Sequence, residues 1–303
     1  MDERVSVVVI GSGPAGAAAG MFLKRAGLEP LLLEEGEPGG LLREANLVEN
    51  YPGFPEGIVG GDLASLIEMQ LKRLQVKLDQ TEAINVIVDD DGFLTTTASG
   101  RYVSDYVVIA TGTSPRRTNI PGAAEIEGRL LHYGVSSLKP KNIVGKRIAV
   151  LGGGDAAFDY AINLSGKGGS VTIISRSEPT CLSLLVERAR ARGVDVITGG
   201  NITELSEAAN RVAINFEHDG STSEIISDLI IVAYGREPRL DALDPSLKEG
   251  LTVDRPPVTN IPGLFIAGDV ARGMNRQASI AVGDGVLAAM MIQQLLRDGG
   301  EHA

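Results

Sequence analysis

Two glycine spacings constrain this chain more than any other feature. Gly11-x-Gly13-x-x-Gly16 lies near the start, and a near-copy, Gly152-x-Gly154-x-x-Ala157, lies in mid-chain. Each follows an apolar run suited to a buried strand, Val5 to Ile10 and Arg147 to Leu151, and each opens a run of small residues suited to a helix. One such turn is a weak signal, because glycine is common. Two of them in strand–turn–helix context predict an α/β chain with two turns that present backbone amides to a pyrophosphate at a helix N-terminus. A chain that holds two dinucleotides is expected to move electrons between them.

Composition narrows the reading. At 303 residues the chain can form two domains, each with its own core. A net charge of −11 and an aromatic content of 4% speak against nucleic-acid binding, which needs a basic face and stacking rings. The one cysteine, Cys181, excludes an intramolecular disulfide and fits a reducing cytoplasm. Two stretches resemble membrane segments. Val5 to Leu23 is broken by glycine and proline and preceded by Asp2 and Glu3, and Ala278 to Leu296 is interrupted by Asp284. Both are expected to be core elements, with no membrane partner.

The order of elements repeats. In the first half a strand Pro30 to Leu33 ends in Glu34, followed by Ile84 to Val88, an Asp91-Gly92 turn, Phe93 to Ala98, and Tyr106 to Ile109 with Ala110-Thr111-Gly112 behind it. In the second, Ser170 to Ile174 ends at Ser175-Arg176. Val212 to Phe216, an Asp219-Gly220 turn, Glu224 to Ile226 and Leu229 to Val232 follow, with Ala233-Tyr234-Gly235 behind. Asp-Gly between alternating strands marks a hairpin, so each half reads as a βαβ unit with a β-meander. Ser114 to Lys146 and Leu240 to Pro262 read as connections. The final strand Leu264 to Ile266, Gly268-Asp269 and a long apolar helix have no counterpart in the second half.

Each site residue has a chemical reason and a plainer alternative. Gly11 permits the tight turn, Gly13 lets backbone approach a pyrophosphate, and Gly16 lets the helix opened by Pro14 and Ala15 pack on its strand. Glu34 stands where a carboxylate accepts both hydroxyls of a ribose; the alternative is a solvated strand-end acid. Gly39-Gly40 and Tyr51-Pro52-Gly53-Phe54 either follow a ligand closely or form ordinary loops. Asp269 either bonds a ribityl chain or caps the helix after it. Counted from the first glycine of the second turn, Ser175 takes the place of Glu34. No acid is then placed for a free 2′-hydroxyl, while Arg176 either pairs a 2′-phosphate or is a solvated charge. The histidines are scattered and one cysteine cannot build a metal cage, so no metal site or nucleophile is expected.

Taken together, these pieces resemble the thioredoxin reductase-like branch of the class II pyridine nucleotide-disulfide oxidoreductase superfamily. The carriers are Gly11-Ser12-Gly13-Pro14-Ala15-Gly16, Glu34, Gly39-Gly40-Leu41, Glu49-Asn50-Tyr51-Pro52-Gly53, Ala110-Thr111-Gly112, Gly152-Gly153-Gly154-Asp155-Ala156-Ala157, and Gly268-Asp269-Val270 with Arg276-Gln277-Ala278. The resemblance implies two Rossmann-like three-layer ββα dinucleotide-binding domains, the first discontinuous. Residues 1–114 and 247–303 would bind FAD, with Asn50, Asp269 and Arg276 to Ala278 reaching the flavin. Residues 115–246 would bind NADPH or NADH through Gly152, Gly154, Asp155, Ala156, Ser175, Arg176 and Gly235. It also implies a homodimer.

Two departures bear on function. The branch carries a His-Arg-Arg run with another Arg four residues on, where this chain reads Ser175-Arg176-Ser177 and Cys181. It also carries a Cys-x-x-Cys pair before the second glycine turn, where this chain reads Val135-Ser136-Ser137-Leu138. Hydroxyls cannot carry two electrons, so reduction of a disulfide through a dithiol of this chain is not expected. Leu131-His132-Tyr133-Gly134-Val135 is similar to a segment of the thioredoxin reductase-like ferredoxin–NAD(P)+ reductases, which also lack the dithiol but usually carry a further C-terminal segment. His132 and Tyr133 then either flank the flavin or pack the connection. The expectation is a FAD-dependent oxidoreductase exchanging electrons between NAD(P)H and a partner such as ferredoxin. The acidity of the chain counts against an acidic partner, so a local basic surface would have to dock it: Arg116, Arg117, Lys139, Lys141, Lys146 and Arg147, or Arg188, Arg190 and Arg192, which otherwise read as a solvated helix face. A diaphorase or oxidase with small acceptors, and a flavin-holding sensor without nicotinamide turnover, are the alternatives.

Overall fold

The computed structural model describes residues 2–136, 138 and 143–300. Ser137, Lys139 and Lys141 lie outside these described residues. The chain divides into two compact units: Met1–Arg43, Leu47–Ser114 and Glu237–Ala303 form the first, Glu44–Asn46 and Pro115–Arg236 the second. The return to the first unit thus comes at Glu237, earlier than the sequence expectation of residue 247. Part of the cause is Leu243, buried in the same apolar cluster as Val86 and Phe93.

The first unit begins with β1 (Glu3–Ile10), α1 (Pro14–Arg25) and β2 (Leu31–Leu33), then a 3-10 turn at Gly40–Glu44. After these come α2 (Gly60–Arg73), β3 (Lys77–Asp79), β4 (Ala83–Asp89), β5 (Gly92–Thr97) and β6 (Arg101–Ile109). β1 pairs with β2 and β6 in parallel, in register Val8 with Leu31 and with Val107. Both faces of β1 are covered, which is why Val7, Val8 and Val9 read as a continuous apolar run and are fully buried. The β4–β5 hairpin turns on Asp90 and Asp91, with Asp89 opposite Gly92, so Gly92 begins a strand rather than completing the turn. This meander continues the parallel sheet, giving strand order β3-β2-β1-β6-β5-β4.

A short strand, β7 (Thr113–Pro115), leads into the second unit. That unit contains α3 (Ala123–Ile126), β8 (Leu131–His132), β9 (Arg147–Leu151), α4 (Asp155–Gly166), β10 (Ser170–Ile174), α5 (Ser183–Ala191) and β11 (Asp195–Ile197). The antiparallel strands β12 (Asn201–Ala208), β13 (Arg211–His218) and β14 (Ser221–Ser227) come next, then β15 (Leu229–Val232). The parallel sheet has order β11-β10-β9-β15-β8. Its meander, unlike that of the first unit, forms a separate three-stranded sheet. Residues 114–146, expected as connection, supply its edge strand β8, paired at Leu131 with Ile230.

The chain then passes through β16 (Arg236–Pro238), which pairs with β7, and α6 (Pro245–Glu249). β17 (Leu264–Ile266) joins β6 in parallel, and α7 (Ala278–Gly300) closes the fold. Over residues 278–298 α7 is long and apolar enough to cross a membrane. Its Ala281, Ala288, Ala289 and Ile292 are instead buried against Ala15, Ala17 and Ala19 of α1 in one core cluster. The charge that interrupts it, Asp284, is paired within the protein.

Candidate dinucleotide sites

The first glycine turn is held by the protein at two positions and left open at one. Gly11 has φ +96, and a Cβ there would lie 2.5 Å from the Ala110 carbonyl oxygen. A Cβ at Gly16 would lie 1.9 Å from the Gly11 carbonyl oxygen, so α1 reaches its strand only through glycine. Around a Cβ at Gly13 no protein atom lies within 4 Å. The space over Gly13, at the N-terminus of α1, is what a pyrophosphate needs. Gly39 closes one side by donating its N–H to the Ser12 carbonyl at 2.9 Å, and Gly40 follows it past Gly13. Leu41 and Leu42 continue from there into the 3-10 turn, with Leu42 buried.

Glu34 directly follows β2. Its Oε2 accepts from the Ser12 backbone N–H at 2.7 Å and the Ser12 hydroxyl at 2.8 Å, and its Oε1 accepts from the Gly36 N–H at 3.0 Å. A carboxylate offers about four acceptor positions, so this aim leaves capacity for a ribose hydroxyl. Ser12, fully buried, was not singled out by the spacing, although it lies inside it.

Residues far apart in sequence also meet within the same unit. The Asn50 side-chain amide donates to Gln277 Oε1 at 2.6 Å, and the Ser279 hydroxyl donates to the Asn50 carbonyl at 3.5 Å. Arg276 and Gln277 lead into Ala278, the first residue of α7. Gly268 precedes a 3-10 turn, Asp269–Ala271, and its backbone packs on Ala15 of α1. Ala110 borders the first turn, while the Thr111 hydroxyl donates to the Arg239 carbonyl at 2.5 Å and Gly112 accepts the Arg239 N–H at 3.1 Å. Arg239, which sequence reasoning missed, also pairs through its guanidinium with Glu35 and Glu82. That hydrogen bond holds the Glu35 carboxyl below its ordinary value.

The second turn repeats the plan with other partners. A Cβ at Gly152 would lie 2.5 Å from the Ala233 carbonyl oxygen, whereas one at Gly154 would meet only Thr180 Oγ1, at 4.0 Å. Asp155 and Ala156 are exposed in the first turn of α4, and Ala157 is buried. Asp155 Oδ1 accepts the Leu182 N–H at 3.0 Å, and the Gly153 carbonyl accepts the Thr180 N–H at 2.9 Å. Ser175 is buried and donates its hydroxyl to the Ser177 carbonyl at 2.6 Å. Arg176 is exposed, its guanidinium carbon 5.8 Å from the centroid of the Tyr234 ring. Gly235, next to that ring, accepts the Arg116 N–H at 3.0 Å.

The remaining residues are placed as follows. Tyr133 accepts the Thr118 N–H at 3.1 Å and carries Arg117 over its ring at 4.7 Å, both packing interactions. His132 lies in β8, where burial pushes its imidazole below the ordinary value. Burial, with Asp155 beside it, pushes the Cys181 thiol up, away from thiolate chemistry. Lys146 pairs with Asp228 at 3.9 Å and Arg117 pairs with Glu127, so those cations already have protein partners. Among the described residues no group of three or more His, Cys, Asp or Glu is placed to hold a metal.

Comparison with known proteins adds the following. The family model described as pyridine nucleotide-disulphide oxidoreductase matches residues 5–285. A 34.2 kDa protein in the rubredoxin operon of Clostridium pasteurianum is 31% identical, covering 97% of this chain and 98% of its own. A thioredoxin reductase of Listeria innocua is 32% identical, covering 98% and 96%. The crystal structure of Lactococcus lactis thioredoxin reductase superposes with a TM-score of 0.88 at 29% identity, over 97% of this chain and 99% of that one.

Proposed function

Because this chain belongs to the pyridine nucleotide-disulphide oxidoreductase family, as a thioredoxin reductase-like member, we propose that it passes electrons from NADPH through FAD to an acceptor without any dithiol of its own. The family uses FAD and NADPH. The observation that carries the reading is the pairing of two dinucleotide-type glycine turns, the second with Ala157 in third place, with a single cysteine.

The first unit fits FAD. Gly13, Ala15 and Gly16 present amides to the pyrophosphate, Gly11 makes the turn and Pro14 opens the helix beside it, and Gly39, Gly40 and Leu41 flank it. Glu34, aimed by Ser12, takes the adenosine ribose. Asn50 and Gln277, joined by their hydrogen bond, line the flavin end with Arg276, Ala278, Gly268 and Asp269. Ala110, Thr111 and Gly112 hold the strand ends together. When bound, the flavin supplies hydride acceptance from a nicotinamide and onward transfer of electrons, so the protein mainly binds and orients. In the second unit Gly152, Gly154, Asp155 and Ala156 face the nucleotide pyrophosphate. Ser175, its hydroxyl held by Ser177, makes no claim on a 2′-hydroxyl, and Arg176 on Tyr234 takes a 2′-phosphate.

The partner is a small redox protein: ferredoxin, or rubredoxin, whose operon a relative shares. A second reading, delivery to small acceptors or oxygen, is favoured by where the charge sits. Lys and Arg equal Asp and Glu in the second unit, so the net −11 belongs to the first and repels an acidic partner. Apolar side chains exposed on α7, Leu287, Met290 and Leu295, support a homodimer, checked by light scattering of the flavin-loaded protein. The single cysteine and the buried face of α7 support a cytoplasmic location.

The test is anaerobic mixing with NADPH or NADH while flavin absorbance is followed. Bleaching faster with NADPH, then reoxidation by ferredoxin or rubredoxin, is the expected result. Bleaching by neither nucleotide overturns the proposal and leaves a flavin-holding sensor. Reoxidation only by quinones or oxygen selects the second reading.

A further inference from the structure

Asp284 sits on an otherwise apolar helix and is 3% exposed. Gly285, next to it, marks where α7 and α1 meet: a Cβ there would lie 2.0 Å from the Ala15 carbonyl oxygen. Gly268 faces the same place, since its Cβ would lie 2.8 Å from Ala15 Cβ and 3.4 Å from Ala281 Cβ. This close approach carries Asp284 to the turn after β17. Its Oδ2 accepts the Gly268 N–H at 3.1 Å and Arg272 Nε at 2.8 Å, and its Oδ1 accepts from Arg272 Nη2.

One carboxylate therefore grips both ends of the segment 268–272, with Asp269 between them. Burying the carboxylate of an ion pair whose Arg272 side is 30% exposed gains little stability over the apolar packing that the rest of α7 uses freely. What the pair supplies instead is a fixed geometry, with directional bonds at each end of the turn. We propose that Asp284 is a positioning residue for the flavin. It acts through Gly268 and Arg272 to aim Asp269, and its pairing with Arg272 sets the charge the flavin experiences. This inference rests on the reading of 268–278 as the flavin-facing segment.

Two variants test it in the intact protein with excess FAD, read by the rate of flavin release and by the flavin midpoint potential. Asp284→Asn keeps an acceptor for the Gly268 N–H but leaves Arg272 uncompensated. Flavin release at least tenfold faster, and a shift of the potential to more positive values, are expected. Arg272→Gln leaves Asp284 uncompensated, and the potential is expected to move to more negative values. Opposite shifts are something that loosened packing alone does not produce. Two variants with unchanged potentials, or with shifts of the same sign, overturn the proposal. Should Asp284→Asn fail to fold, the sign of the Arg272→Gln shift decides. A native protein that holds no FAD refutes the underlying site assignment instead.

Discussion

At the first glycine turn the third position has no room for a side chain, since a Cβ at Gly16 would lie 1.9 Å from the Gly11 carbonyl oxygen; at the second the same position is a fully buried alanine, Ala157. Across from each turn the difference runs the other way. The first has Glu34, a carboxylate aimed by three hydrogen bonds, and the second has Ser175, whose hydroxyl is tied to its own loop. The first half of the pattern is dictated by how closely helix and strand pack. The second, at the end of the neighbouring strand, follows under the proposed function from the sugar to be read. Repetition of the fold thus leaves the residue at that strand end free to differ between the two units.

The strongest way to break this comparison is to exchange the third residues. Gly16→Ala must push α1 off its strand, and a loss of about 3 kcal/mol with failure to retain FAD is expected. Ala157→Gly is expected to cost about 1 kcal/mol, the ordinary helix penalty. Urea unfolding with flavin release as a second signal measures both, and equal costs would remove the packing distinction. Next in size, Glu34→Ala is expected to weaken FAD binding about 10- to 100-fold, the loss of hydrogen bonds to a charged group. Titration of the apoprotein with FAD checks it, and an unchanged affinity would show that Glu34 does not read the ribose.

Smaller effects belong to the second turn. Arg176→Ala is expected to lower the preference for NADPH over NADH about tenfold in KM. Tyr234→Leu should lower it about threefold, and Tyr234→Phe not at all, because a ring under the guanidinium is worth about 0.5–1 kcal/mol at an exposed site. A preference untouched by Arg176→Ala would assign the phosphate to other residues. The smallest effect concerns pH. Residues 2–114 contain no histidine, whereas His132 in the second unit is half-buried and desolvation holds its imidazole below the ordinary value. The unfolded chain therefore takes up the proton first, so this contribution is complete above about pH 6.5 and is lost as pH falls below it. His132→Gln should flatten the change in urea midpoint between neutral and mildly acidic buffer relative to the native chain. An equal slope in both would mean that His132 does not titrate on unfolding.

The strands β9, β10, β15 and β17 were legible to the residue, because each is a short apolar run cut off by a glycine turn or a charge. α2 was missed, since its opening Gly60-Gly61 reads as loop. β12 was missed for a sharper reason. Its hairpin to β13 turns on Ala209 and Asn210, both at positive φ, and alanine carries no turn signal; the next hairpin, on Asp219-Gly220, was plain. At the sites, the glycines and Glu34 announced themselves by spacing. Ser12, Arg239 and the link from Asn50 to Gln277 did not, because these are hydrogen bonds between parts of the chain that no local pattern relates. Asp284 was read only as an interruption of an apolar helix, and its partner Arg272 gives no periodic signal.

The late return of the chain to its first unit has a consequence for synthesis. Once Arg236 has emerged from the ribosome, the second unit has all of its strands and can close. The first still lacks β17, the turn at Gly268 and the helix that covers α1. A nascent chain therefore exposes the apolar flank of α1 throughout translation of the middle of the gene, and is ready for its prosthetic group only at the end.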